Sequence, residues 1–267
     1  MSTAQDNVAI IGGGIAGMAL ALLLAAQSLP ATIYEARSEA PLPHRAGGGM
    51  MLCPNALRIL DPLGLYEVLL SKAYSFDYVY YKNGEEATVD RYPLGGAAEF
   101  GYDAVRIFRQ ELVEISAKAC RERGVAVEYG KRFARVVEED EAGVEFEFRD
   151  GGGRGRPNFV GLAALTYAVP TAQLRVPADK DYRFPVSVAS RNGVFVLAPQ
   201  GADGSEMLAG TQVPFDAGRA ALGREALKAR LRRDEENWPD VVRSALEDIR
   251  DETMNVWPFF MLPALER

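Results

Sequence analysis

Three consecutive glycines, Gly12-Gly13-Gly14, follow the apolar tetrad Val8-Ala9-Ile10-Ile11 and lead into the apolar run that starts Ile15-Ala16-Gly17, giving the spacing Gly12-x-Gly14-x-x-Gly17. The spacing alone is common; its context is not. A strand precedes it, a helix follows, and an acidic residue, Glu35, closes the next strand about 20 residues on, the arrangement that binds dinucleotides. Gly12 suits the tight turn and Gly14 lets the backbone approach a pyrophosphate. Gly17 lets the helix lie close to the strand, while the helix N-terminus presents N–H groups and a positive dipole end to the phosphates. Gly12, Gly14, Ile15, Ala16 and Gly17 are therefore the candidate phosphate contacts, with Glu35 and Ala36 on the adenosine side. A carboxylate at position 35 accepts hydrogen bonds from both ribose hydroxyls and repels a 2′-phosphate, which selects FAD or NAD over NADP.

The remaining composition narrows the class. At 267 residues and 48% hydrophobic content the chain is long enough for one large domain or two modest ones, each with a core. A net charge of −7 argues against a nucleic-acid partner, which needs a basic face. Glu138-Glu139-Asp140-Glu141 reads as a solvated hairpin tip between two strands. Cys53 and Cys120 have no metal-like or redox-like spacing, so no metal site is expected and both thiols are read as reduced. The most apolar stretch, residues 15–26, is too short to span a bilayer, and the residues before it carry Asp6 and no Lys or Arg, unlike a secretory leader. The expected compartment is the cytoplasm. His44 is the chain's one histidine, on a Pro-rich loop, and leaves little material for a Ser-His-Asp triad.

Periodicity and turn signals place strands at 8–11 and 32–34 around a helix at 15–28. A Pro/Gly-rich loop spans 41–49, and a helix begins at Pro54 and stops near Gly64. Asn83-Gly84 predicts a hairpin between 76–81 and 86–91. Leu112, Ile115 and Ala119 mark one face of a helix over 110–123, and 125–129 is a strand. Segments 132–138 and 144–148 read as the hairpin of a small meander. Strands at 161–169, 186–190, 194–198 and 207–213 read as an antiparallel sheet, followed by helices at 224–233 and 239–249. Gly201-Ala202-Asp203-Gly204 is expected to be a turn within that sheet.

Taken in order, Gly12-x-Gly14-x-x-Gly17, Glu35, the segment from Gly47-Gly48-Gly49 through Pro54-Asn55-Ala56-Leu57 to Gly64, and Arg106-Ile107-Phe108-Arg109-Gln110-Glu111-Leu112 resemble the group A flavoprotein monooxygenases related to salicylate and p-hydroxybenzoate hydroxylases. The resemblance implies an α/β fold: a Rossmann-like FAD/NAD(P)-binding domain of the glutathione-reductase type, over 1–75 and 102–155, with an antiparallel-sheet substrate domain over 76–101 and 156–267. It further implies that Gly47, Gly48 and Arg109 contact the FAD and that Arg45 reaches toward the nucleotide. NAD(P)H would be co-substrate, and a small aromatic compound the substrate. The pocket for that compound is expected between the two domains, with Tyr78, Tyr80, Tyr102 and Trp257 as candidate aromatic walls.

This sequence departs from the family pattern in two places. The family's Asp-Gly segment is absent between Phe148 and Arg156, where the chain reads Asp150-Gly151-Gly152-Gly153-Arg154-Gly155, and the Gly-Asp segment that holds the ribityl chain is absent after Phe259. The fold is accordingly expected to be truncated, with Val8–Ile11 left as an unpaired sheet edge. The expected activity is hydroxylation by an FAD-dependent monooxygenase using NAD(P)H and O₂, incomplete as given, and no catalytic side chain is identified. An NAD-dependent dehydrogenase and a non-catalytic nucleotide-binding remnant are the alternatives.

Overall fold

The computed structural model describes residues 7–39, 48–140, 143–149, 158–215 and 223–261. The chain opens with β1 (Val8–Ile11), α1 (Ile15–Ala26) and β2 (Ala31–Glu35), then β3 (Gly49–Leu52), α2 (Pro54–Leu60) and α3 (Tyr66–Leu70). Next come β4 (Tyr74–Phe76), β5 (Tyr78–Lys82), β6 (Thr88–Pro93), α4 (Ala97–Phe100), β7 (Ala104–Phe108) and α5 (Arg109–Glu122). After β8 (Ala126–Tyr129), β9 (Arg132–Asp140), β10 (Gly143–Arg149) and β11 (Asn158–Pro170) follow β12 (Val186–Ser190), β13 (Gly193–Gln200) and β14 (Glu206–Pro214). The last elements are α6 (Arg224–Leu231), α7 (Asp240–Glu247) and β15 (Asn255–Met261). No helix among the described residues is long and apolar enough to cross a membrane.

Two compact units result, one built from Met1–Gly48, Asn55–Ser71 and Phe108–Arg154, the other from Gly49–Pro54, Lys72–Ile107 and Gly155–Arg267. These boundaries differ from those drawn on the sequence, because β3 and nearly all of β7 belong with β4 in a small sheet of the second unit.

In the first unit β1, β2 and β8 form a parallel sheet in the order β1-β2-β8, with Ile10 opposite Ile33 and Tyr34 opposite Glu128. A parallel pair needs a crossover, and α1 supplies it for β1 and β2. Its Met18, Ala21 and Leu22 are buried, and it packs against α5, whose buried face is Leu112, Ile115, Ser116, Ala119 and Cys120. The α1 helix ends at Ala26, two residues earlier than expected, because Ser28 turns the chain at φ 58°. Among the described residues the order leaves β1 at the edge: Val8 is 38% and Ile11 47% exposed, as are Leu20 and Leu23 on α1 at 46% and 41%.

The predicted meander is instead a separate two-stranded ribbon, β9 with β10, whose Phe146 and Phe148 pack on Tyr34 of β2 at ring separations of 5.5 and 5.0 Å. The ribbon's register shifts between Glu145 and Phe146 and again between Glu147 and Phe148.

The second unit is built on a seven-stranded sheet in the order β15-β11-β14-β13-β12-β5-β6. It is antiparallel with one exception. The β5 strand, which arrives from far earlier in the chain, runs parallel to β12, so the expected antiparallel sheet is mixed at that junction. Helices α6 and α7 cover one face. Leu227, Leu231, Val242, Ala245 and Leu246 from these helices meet Leu165, Tyr167, Phe195, Leu197 and Met207 from the sheet, and the Trp238 ring stands edge-on to Phe195. The Tyr167 hydroxyl is satisfied by donating to the Ala245 carbonyl at 3.0 Å. A smaller sheet, β3-β7-β4, holds the wholly buried β7. Residues 49–52, of which only Gly49 falls in the expected loop and the rest carry no assigned element, form one of its strands.

Candidate nucleotide-binding site

The β1–α1 connection is a tight loop whose shape depends on two glycines. Gly12 donates its N–H to the Tyr34 carbonyl at 2.9 Å and then turns at φ 104°, a conformation costly to any residue with a Cβ. Gly17 packs so close to this turn that a Cβ on it would lie 2.0 Å from the Gly12 carbonyl oxygen. Gly14, at the start of α1, faces open space: a Cβ there would meet nothing within 4 Å. No side chain caps this helix and no acidic residue occupies its first turn, while the first intrahelical bond runs from the Met18 N–H to the Gly14 carbonyl. The leading N–H groups, including those of Ile15 and Ala16, and the positive end of the helix dipole are thus presented, among the described residues, without a side-chain cap. That combination suits a phosphate.

Glu35 stands directly across from the loop. It is 8% exposed, its Oε2 accepts the Gly13 N–H at 2.7 Å, and its Oε1 accepts both the Arg37 N–H at 2.9 Å and the Arg37 Nε–H at 3.0 Å. Burial pushes the carboxyl toward protonation, but these hydrogen bonds and the Arg37 charge outweigh it, and the group sits below the ordinary carboxylate range. A depressed acid stabilises the fold above its unfolded-state pKa, and that contribution is lost as the pH falls through the lower folded-state value. A carboxylate offers about four lone-pair directions, of which the described residues use three, so among them Oε2 keeps one free acceptor. Ala36 follows, half-buried, and the end of β2 is anchored by the Lys131 and Gly130 N–H groups donating to the Glu35 and Arg37 carbonyls.

Arg109 begins α5 and is exposed, and its N–H donates to the Gly48 carbonyl at 2.9 Å. That bond ties the glycine segment to the helix start. Gly48 itself adopts φ 62°. Arg45 and Gly47 lie outside the described residues. Of the proposed aromatic walls, Tyr80 is a core residue, 6% exposed, because alternation on β5 turns it toward α6 and α7. Tyr78 is covered by the Arg91 guanidinium at 4.6 Å, and Trp257 is 37% exposed on β15. The Gly201–Gly204 turn joins β13 to β14 as expected and is no part of the nucleotide loop.

A parallel βαβ unit with a glycine turn, an uncapped helix start and an acid at the end of the second strand defines a dinucleotide-binding protein. The chain belongs to the FAD binding domain family, whose model matches residues 5–158. This assigns FAD, among the nucleotides that Glu35 admits, as the cofactor. Among curated relatives it is 31% identical over 150 residues to 6-hydroxynicotinate 3-monooxygenase of Bordetella bronchiseptica, covering 55% of this chain and 38% of the relative. It is 32% identical over 150 residues to 3-amino-4-hydroxybenzoate 2-monooxygenase of Streptomyces cremeus, covering 54% and 36%. The matched region therefore spans less than two-fifths of these enzymes. The fold is shared with Klebsiella pneumoniae HpxO complexed with FAD and uric acid, at a TM-score of 0.73 and 20% identity over 95% of this chain and 67% of that one.

Proposed function

We propose that this chain is the FAD-binding and substrate-recognising portion of a monooxygenase that hydroxylates a small aromatic compound at the expense of NAD(P)H and O₂. The observation that carries the reading is the uncapped α1 N-terminus beside the Glu35 carboxylate, in a chain whose curated relatives are aromatic-ring monooxygenases. Bound flavin supplies the redox chemistry with O₂. The chain's own residues bind and orient it. The backbone N–H groups at the start of α1, from Gly14 to Gly17, take the pyrophosphate, the free lone pair of Glu35 Oε2 takes a ribose hydroxyl, and the Ala36 backbone borders the adenosine. Arg109, aided by Gly47, Gly48 and Arg45, holds the far side of the nucleotide. Residues 1–75 and 102–155 are the proposed FAD-binding portion, 76–101 and 156–267 the substrate portion, and the cytoplasm the proposed compartment.

We also propose that the sheet is an incomplete form of the glutathione-reductase-type Rossmann domain. In support, β1 is an edge strand with exposed Val8 and Ile11, where a doubly wound sheet continues on both sides of its first strand. The same edge favours a second reading, a nucleotide-binding protein without turnover.

Two substitutions test the binding roles. Glu35→Gln removes the charge while preserving size, and FAD binding, followed by flavin fluorescence, should weaken by about 1–3 kcal/mol, the range for losing a charged hydrogen bond. The acid-side loss of stability traced to this carboxyl should disappear in the same variant. Unchanged FAD affinity would remove Glu35 from the site. Arg109→Ala should lower FAD affinity while moving the melting temperature of the cofactor-free protein little, since an exposed surface change usually stays within about 0.5 kcal/mol. An equal melting loss with and without FAD would make Arg109 a structural residue.

A further inference from the structure

Phe215, Leu227 and Met254 are core residues of the second unit, at 7%, 5% and 4% exposure, and with Val256 they form the apolar floor of a cavity of about 420 Å³. The cavity lies where the end of β14, the start of α6 and the start of β15 meet. Its volume falls in the range of small-molecule sites. None of the residues placed in the nucleotide site lines it.

The mouth differs from the floor. Of the remaining lining residues, Gly223 and Arg224 are exposed and Asn255 is half-buried. Arg224 and Leu227 stand three residues apart on α6, so they share a face of the helix and turn a cation and an apolar group to the same space. The Arg224 guanidinium is steadied by Nη1 donating to the Met254 carbonyl at 2.7 Å, which leaves its Nε–Nη2 edge, the fork that takes a carboxylate through two bonds. Among the described residues no acidic side chain lines the cavity. The nearby acids Glu225 and Asp251 are both turned onto Lys228, at 3.2 and 2.6 Å. A second arginine, Arg230, donates to the Pro214 carbonyl just before Phe215, so the surroundings add positive charge.

An apolar floor beneath a cationic mouth complements a molecule with one anionic end and an apolar body. Three of the four floor side chains, Leu227, Met254 and Val256, are aliphatic, and methionine adapts readily to a chain of varying shape. The body gains by leaving water, while a carboxylate at the mouth keeps part of its hydration and pairs with the guanidinium. We propose that this cavity is a second ligand site that binds a straight-chain aliphatic carboxylate, its head on Arg224 and its chain against Phe215, Leu227, Met254 and Val256. The site is additional to those for the flavin and the ring substrate and does not depend on the monooxygenase reading.

The test titrates the full chain calorimetrically at neutral pH with octanoate, with its uncharged counterpart 1-octanol, and with benzoate. The wild type should bind octanoate about tenfold more tightly than octanol, the worth of one charge-assisted hydrogen bond, and more tightly than benzoate. Saturating FAD should leave the octanoate affinity unchanged. Arg224→Gln should erase the preference for the acid while keeping the affinity for octanol, and Arg224→Lys should retain part of the preference. Gly223→Phe is the blocking variant. The backbone there, at φ −62° and ψ 160°, is open to any residue, and a Cβ would meet nothing within 4 Å. Octanoate and octanol should both bind about tenfold more weakly to it, with the melting temperature little moved. Equal affinities for octanoate and octanol in the wild type would overturn the proposal, as would tighter binding of benzoate or no binding of octanoate. So would full octanoate affinity in Gly223→Phe, or displacement of octanoate by FAD, which would place it in the nucleotide site. Should Gly223→Phe lower the melting temperature, Arg224→Gln decides alone, because an acid preference that survives it removes Arg224 from the site.

Discussion

Replacing Gly17 with valine should destabilise the protein more than any other single change in the nucleotide loop. The new Cβ would stand 2.0 Å from the Gly12 carbonyl oxygen and 3.2 Å from its carbon, and both obstacles are backbone. Neither can rotate away. Gly12 is itself held by its hydrogen bond to Tyr34 and by its positive φ, so relief requires lifting α1 off β1, which uncovers Met18, Ala21 and Leu22. Overpacking a well-filled site costs about 1–3 kcal/mol and more where nothing can yield, so a loss of about 3 kcal/mol or more is expected. For a domain of this size that corresponds to a melting temperature lower by roughly 10 °C. Gly14→Ala is the control, because a methyl group there enters open space. It should leave the cofactor-free melting temperature nearly unchanged and act on FAD affinity alone, by filling the approach to the pyrophosphate. Similar melting losses for the two variants would mean that the loop does not divide its glycines between packing and binding.

The close packing of Gly17 against the Gly12 turn was readable from spacing, and so was the place of Glu35 at the end of β2, because a strand, a turn and a helix start are each set by a few adjacent residues. The hairpin at Asn83 was readable for the same reason, with the Asn83 side chain accepting from the N–H groups of Glu85 and Ala87. What the sequence concealed is pairing between distant segments. Nothing local tells β5 that its neighbour will be β12, running parallel, or β8 that it joins β2 rather than the ribbon that follows it. Met50 and Met51 lie between a glycine-rich loop and a helix start, with no local signal of their own; β7, a buried strand more than 50 residues on, makes the stretch a strand. Burial of Arg106 is a property of the assembled sheet that no local pattern shows, whereas Arg109, three residues later, is exposed.

Coupled hydroxylation by this 267-residue chain is expected to be negligible. Binding a nucleotide at the α1 N-terminus requires the loop and Glu35, and both are formed. Turnover demands more, since reactive oxygen species at the flavin must be kept from water until the substrate is in place, and that requires a closed and rigid surround. Among the described residues the parallel sheet of the first unit has β1 at one edge, with Val8 and Ile11 of β1 and Leu20 and Leu23 of α1 exposed. FAD held from the pyrophosphate and adenosine side alone should bind weakly, with its ring poorly fixed. NAD(P)H oxidation should then be slow and should yield hydrogen peroxide rather than hydroxylated product. The measurement is product formed per NAD(P)H oxidised across a panel of phenols and aromatic acids, alongside the FAD content of the purified protein. A version carrying the Asp-Gly and Gly-Asp segments should bind FAD stoichiometrically and raise the coupling ratio from near zero toward one. Tight stoichiometric FAD and coupled hydroxylation in the 267-residue chain would show that the edge is no defect, and that the ribityl chain and ring are held by residues other than those two segments.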